Sequence, residues 1–369
     1  MTKELRSVRW DVACLALSLA LSGCAHLGIG EAHLPPGEAL TSKERVDAIR
    51  RAEVWSPTDI PSLDIKAGPH VKRAFAFNQW VDCVYKESDL GGHSAKFECT
   101  TKQGTKVRVK YGRENAEVFG DVLSTRLFWA LGFGAVRMNP VRVRCHGCPR
   151  ESLNGTAKAG DVMEFDPATI KQWVQGRAME TKPDSGWKWS ELDMIGPEAG
   201  PAARAHRDAL KLLAAFVQHT DSKSPQQLIL CPKGEEVGKT GCRHPVLMVS
   251  DLGLTFGSAS LLIKNKHSAH FARWSQTPVW KDPDQCVAEL GRSLTGTLGK
   301  PQISEAGRQF LAGLLAQLRD SQLRALFETG RVELLPRDPG KDDAPARIDE
   351  WVAAFKRKRA DIVDHRCPQ

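Results

Sequence analysis

The chain has 369 residues, with 52 Lys and Arg against 44 Asp and Glu, a formal net charge of +8 and a mean hydropathy of −0.35. That length suffices for a substantial core, in one two-lobed domain or two smaller ones, and the basic balance suits phosphate-rich ligands, anionic membranes or acidic substrates without fixing a fold. No internal repeat, nucleic-acid module or second apolar span is legible, which sets aside repeat arrays, nucleic-acid binders and multi-span membrane proteins.

Residues 1–23 read as an export signal. Lys3, Arg6 and Arg9 form a positive start, and Val12 to Ser22 supply an apolar core too short to span a bilayer. Leu21-Ser22-Gly23-Cys24 ends it with small residues and resembles the bacterial lipobox. The resemblance implies that Cys24 carries lipid and becomes the first mature residue of a cell-envelope lipoprotein. Ala25 favours an outer-membrane address facing the periplasm or exterior; a plain secretory signal and an uncleaved anchor are the alternatives. Removing 23 of 369 residues leaves 346, with a net charge of +7. Cys14 leaves with the signal and Cys24 is used for lipid, so Cys83, Cys99, Cys145, Cys148, Cys231, Cys242, Cys286 and Cys367 remain. An even set in an oxidising compartment reads as disulfides. Cys145-His146-Gly147-Cys148 fits a loop disulfide, two separately paired thiols, or half of a zinc site.

Residues 24–72 are rich in Pro, Gly, Ala and charge and read as a tether with a short helix over Ser42 to Glu53, order beginning near Phe75. Strands follow over Trp80 to Tyr85 and Ala95 to Cys99 around a turn with Gly91 and Gly92. Cys83 and Cys99 lie symmetrically about Gly91, so antiparallel pairing brings them face to face. A third strand, Lys106 to Tyr111, puts Lys106, Arg108 and Lys110 on one face and its valines on the other; taken alone it reads as a solvated edge. A helix runs from Glu114 to Leu131, stopped by Gly132.

Ala135 to Arg144 gives one or two more strands. Residues 151 to 205 read as irregular, with Trp187 and Trp189 in packing roles. A helix from Ala202 to Gln218 leads into a polar loop, followed by short strands at Leu228 to Cys231 and Val246 to Ser250, with Cys231 and Cys242 closing the hairpin. Ser304 to Thr329 is a core helical stretch. Ile348 to Val363 is an amphipathic end helix with Lys356, Arg357, Lys358 and Arg359 outward, a solvated face or a contact with anionic lipid. Cys367 is placed to pin the tail to Cys286.

The chemistry-bearing stretch is His219-Thr220-Asp221-Ser222-Lys223-Ser224-Pro225-Gln226, with Asp251-Leu252-Gly253 after the hairpin. His219-x-Asp221-x-Lys223-x-x-Gln226 is similar to the His-Arg-Asp-x-Lys-x-x-Asn element of protein kinases, and Val107-Arg108-Val109-Lys110 resembles their Val-Ala-Ile-Lys element. Asp251-x-Gly253-x-x-Phe256-Gly257 is closer to atypical members, the secretory-pathway and HipA-type kinases. There is no Ala-Pro-Glu element, and Gln226 stands where the family has Asn.

The resemblance implies an α+β, two-lobed kinase-like fold, with a small antiparallel-sheet lobe and one main helix over 73–148 and a mostly helical lobe over 149–369. It implies ATP with Mg or Mn as cofactor. Asp221 takes the catalytic-base position and Lys223 the γ-phosphate. Lys110 takes the α/β-phosphates, held by Glu117 or its competitor Glu114, with Gly91 and Gly92 in the turn over the nucleotide. Asp251 and Gln226, or Gln227 in its place, are the metal ligands. The implied activity is transfer of the ATP γ-phosphate to a hydroxyl of an exported protein or glycan. The alternatives are an inactive pseudokinase serving as an envelope binding or scaffold protein, and an unrelated envelope lipoprotein.

Overall fold

The computed structural model describes residues 39–69, 75–91, 94–148, 161–179, 185–196, 203–257, 268–291, 296–337 and 344–368. The signal, Cys24 and Gly92 lie outside them. In chain order, α1 (Ser42–Arg51) precedes β1 (Trp80–Lys86), β2 (Lys96–Thr101), β3 (Lys106–Tyr111) and α2 (Glu117–Ala130). β4 (Arg137–His146), β5 (Val162–Gln172), β6 (Gly176–Ala178) and α3 (Ala203–Phe216) follow. Then come β7 (Gln227–Pro232), β8 (Glu236–Val237), β9 (Gly241–Cys242), β10 (Val246–Val249) and α4 (Phe271–Gln276). The chain ends with β11 (Trp280–Asp282), β12 (Val287–Ala288), α5 (Glu305–Ala316), α6 (Asp320–Thr329) and α7 (Ile348–Val363). Helices and strands mix in an α+β arrangement. Among the described residues no helix is long and apolar enough to cross a membrane.

The first five strands close into a barrel in the order β1-β2-β3-β5-β4. Four of the pairings are antiparallel, but β4 returns to β1 in parallel register from Trp80↔Arg142 to Val84↔His146. The antiparallel sheet expected from sequence is thus a closed barrel with one parallel seam, which leaves these strands no free edge. Val81, Phe97, Val107, Val109, Val143, Phe165 and Ile170 fill its interior. β3 is not a solvated edge, because β2 and β5 flank it, and Lys110 is buried.

β5 lies in the stretch read as irregular, so the barrel extends past the expected boundary at 148. Its regularity is hidden by Pro167, which sits at a bulge: Val141 pairs with Ala168 but Val143 with Phe165, giving β5 one extra residue.

All four disulfides join expected partners: Cys83–Cys99, Cys145–Cys148, Cys231–Cys242 and Cys286–Cys367. The zinc alternative at Cys145 and Cys148 is thereby set aside, because disulfide sulfurs offer no thiolate. Cys83 and Cys99 are not directly opposite. Cys83 pairs with Thr101 and Tyr85 with Cys99, so the hairpin is centred one residue later than Gly91 and the bond runs diagonally.

The described part of the expected tether is core. Thr41 and Glu44 form a capping box that starts α1, and Ala48, Ile49, Ala52 and Ile60 are completely buried. Arg45 grips Glu191 through both guanidinium nitrogens (2.5 and 2.7 Å) and donates to the Gly186 carbonyl. Proline and charge in this stretch mark its turns, not a free linker. Trp187 and Trp189 are buried, as their packing roles require.

The helical core stretch expected over 304–329 consists of two helices, α5 and α6, and both pack with α7 around Trp274, Phe327, Trp351 and Phe355. Lys358 does not point outward. It is buried with its ammonium near the Phe216 and Trp274 rings, and it donates to the Thr277 carbonyl. Arg331 ties the helical part to the barrel: its guanidinium donates to Asp166, Asn78 and the Ala168 carbonyl.

Candidate active site

Lys110 lies on the outer face of β3, because its neighbours Val109 and Tyr111 point into the barrel. There it meets three carboxylates: Glu117 at 2.7 Å, Asp121 at 2.7 Å and Asp251 at 3.3 Å. Glu117 and Asp121 are one turn apart on α2, so both face the same strand. Glu114, the competing partner, is exposed before the helix begins. Asp121 is the residue the motif reading missed. Its signal was the i, i+4 spacing from Glu117 inside an otherwise apolar helix.

Asp121 also accepts the Leu252 backbone N–H (3.1 Å), which docks the Asp251-Leu252-Gly253 turn onto α2. Within that turn the Gly253 N–H donates to Asp251. Thr255 donates to the Leu252 carbonyl and accepts from Ser124 of α2. Phe256 then takes a left-handed conformation (φ 53°), its N–H on the Val217 carbonyl and its ring against Trp274. A bulky residue held in that region marks a backbone fixed by its surroundings.

The electrostatics follow from burial and from Lys110 and Lys171. Burial raises the Asp121 carboxyl to about 6, although Lys110 opposes the shift. Burial also acts to raise Asp251, but Lys110 and Lys171 outweigh it and hold Asp251 well below the usual carboxylate range. Burial would lower Lys110, yet the three carboxylates keep it well above its ordinary value. Lys171 is a second residue the motifs did not mark, on the β5 strand hidden by its bulge.

α3 delivers the other half of the site. Gln218 turns left-handed (φ 57°) just past the helix, its side-chain amide bonded to Ala215 and Glu289 carbonyls, and sends the chain into the His219 loop. Asp221 is bound by Lys223 (3.0 Å) and by the Gln226 side-chain amide (2.9 Å). The Gln226 carbonyl accepts the N–H groups of Ser250 and Asp251, so the two loops are joined through backbone. The Gln226 amide is directed at Asp221, not at Asp251. Gln227 is buried with its amide on the Ser222 carbonyl, so it belongs to the floor beneath. His219 is fully buried; burial lowers it to about 4 and keeps it neutral, and its ring nitrogens have no partner among the described residues. Gly91 is exposed, with open space where a Cβ would stand.

Glu117, Asp121 and Asp251 each bring a carboxylate oxygen within 4.8 Å of the others, a hard donor set suited to Mg²⁺ or Mn²⁺. Lys110 already occupies their centre. Asp251 retains 31% of its side-chain surface, so it is the donor that faces outward.

No family model matches the chain, and no curated protein matches it. Among solved structures it is similar to the proinflammatory kinase CtkA of Helicobacter pylori, at 8% identity and TM-score 0.40, covering 75% of this chain and 92% of that one. It is also similar to the Rio2 kinase of Chaetomium thermophilum in a complex with ADP, Mg²⁺ and phosphoaspartate, at 10% identity and TM-score 0.27, covering 66% of this chain and 68% of that one. Likeness at these levels leaves the chemistry to be argued from the side chains.

Proposed function

We infer that the cleft between the barrel and the helical part binds ATP with a divalent metal and transfers its γ-phosphate to an alcohol group, in a two-lobed kinase-like protein. The observation that carries this reading is the joining of the two halves. Lys110 is held by Glu117 and faces Asp251, and the Asp251 turn is bonded through backbone to the loop that carries Asp221. Lys110 would meet phosphate oxygens, and Asp221 would orient the acceptor hydroxyl and take its proton. Lys223, already on Asp221, would steady the transferred group. Asp251 is the carboxylate to hold Mg²⁺ or Mn²⁺, which when bound supplies positive charge to the phosphate oxygens. The lipobox resemblance at Cys24 and the disulfides support an envelope lipoprotein acting on an exported protein or glycan.

A second reading, a nucleotide-binding module without transfer, is favoured by Gln226. Its amide is engaged with Asp221, which lessens its value as a metal ligand.

The test is a thermal-shift titration of the detergent-solubilised full chain with ATP and Mn²⁺ or Mg²⁺, alongside Asp251→Ala and an assay of phosphoryl transfer. Metal-dependent stabilisation, lost in the variant, with transfer supports the kinase reading. Stabilisation without transfer supports the second, and no stabilisation counts against both.

A further inference from the structure

The cleft has more cationic groups than the motif assigns. β2, β3 and β5 are adjacent, and the registers Lys96↔Lys110 and Arg108↔Lys171 place all four side chains on the outer face of the same three strands. They differ in how their charge is met. Arg108 is paired with Glu98 at 2.9 Å, and Lys110 is surrounded by Glu117, Asp121 and Asp251. Among the described residues Lys96 and Lys171 have no carboxylate partner within salt-bridge distance.

Lys171 still senses the cleft, because Asp251, Lys110 and Asp121 all act on it electrostatically. Burial lowers its ammonium to about 8, so a bound anion would favour its charged form. Its ammonium sits 4.1 Å from the centre of the Trp173 ring, which positions the long side chain. Lys96 is half-buried and feels Lys110, Glu117 and Asp251.

One lysine among three carboxylates leaves a cluster that is not net positive, a poor receiver for a polyphosphate. A ligand carrying several negative charges needs cations that the protein has not already neutralised. We propose that Lys171, assisted by Lys96, is a further phosphate-contacting cation of this cleft beside Lys110, whose charge is shared among Glu117, Asp121 and Asp251. The ligand class is therefore a polyphosphate: a nucleoside triphosphate, or inorganic triphosphate at the same groups. This rests on the nucleotide reading of the cleft and extends it to a specificity for phosphate number.

The experiment measures binding of ATP, AMP and inorganic tripolyphosphate, each with Mn²⁺, to the full chain in detergent, for the parent, Lys171→Met, Lys171→Arg and Lys96→Met. The expected result is at least a tenfold loss of ATP and tripolyphosphate affinity in Lys171→Met, a smaller loss in Lys96→Met, and recovery in Lys171→Arg. AMP affinity should change less than twofold, and a melting temperature at or above the parent's shows that the fold persists. ATP binding equal in the parent and Lys171→Met would overturn the proposal while leaving the nucleotide reading intact. Lys171-dependent binding of tripolyphosphate without ATP binding would uphold the phosphate site and overturn the nucleotide reading. Binding of neither ligand by the parent would overturn both.

Discussion

Gly120 on α2 lies against Gly253 so closely that a Cβ added at Gly120 would stand 2.4 Å from the Gly253 carbonyl oxygen. The helix that carries Glu117 and Asp121 and the turn that carries Asp251 are therefore in backbone contact, locked further by Ser124 and Thr255. Gly120→Ala should force the turn away, costing about 1–3 kcal/mol and weakening metal-dependent nucleotide binding. Gly313→Ala is the control: its Cβ meets nothing within 4 Å inside α5, and it should stabilise by up to about 1 kcal/mol. Urea unfolding of the two variants measures both effects.

Lys110 is the only ammonium hydrogen-bonded to Asp121 among the described residues, and Asp121 is 1% exposed. Lys110→Met should destabilise by about 3–5 kcal/mol, because it leaves buried carboxylates without a counter-charge. The loss should shrink on acidification. Asp121 titrates near 6, so by pH 5 it is largely protonated and no longer needs the lysine. Denaturant unfolding of parent and variant at pH 5 and pH 8 checks the trend; an equal loss at both values would refute it.

Asp221→Asn preserves shape and leaves an oxygen for Lys223, but it removes the proton acceptor. Transfer should fall by about 10²–10⁴-fold while ATP affinity changes little. Stability should change by less than about 1 kcal/mol, since the Lys223 partner is 41% exposed. A large loss of ATP binding would show that Asp221 is part of the nucleotide site instead.

Lys358 provides a pH signature away from the cleft. Burial lowers it from 10.5 to about 8, so the unfolded chain holds this proton more tightly than the folded one. This group's contribution to stability should rise as pH increases from about 8 to 10.5, by up to about 3 kcal/mol. Lys358→Met should be more stable than the parent at pH 7, with the difference narrowing toward pH 10.5 in paired unfolding curves.

Residues with a local signature were legible from sequence. Lys110 alternates with valines on β3, Glu117 opens an apolar helix, and Asp221 and Asp251 sit in short loops flanked by apolar elements. What escaped notice depends on long-range contact. Asp121 resembles a polar interruption of a helix until β3 and the Leu252 N–H meet it. Lys171 is concealed because Pro167 breaks the alternation of β5, and only pairing with β4 shows that a bulge absorbs it. Residues 39–69 have the composition of a linker, yet their few apolar side chains are spaced to insert singly into the core.

The grip of Arg45 on Glu191 and Gly186 has a mechanical consequence. Gly186 is wedged against the carbonyls of Ser224 and Gln227, at the base of the loop that bears Asp221. Tension applied where the chain enters α1 would pass through the Arg45 side chain and the Gly186 backbone to the floor of the cleft. If the protein is held at its N-terminal end, that pull and the Asp221 loop share one line of force.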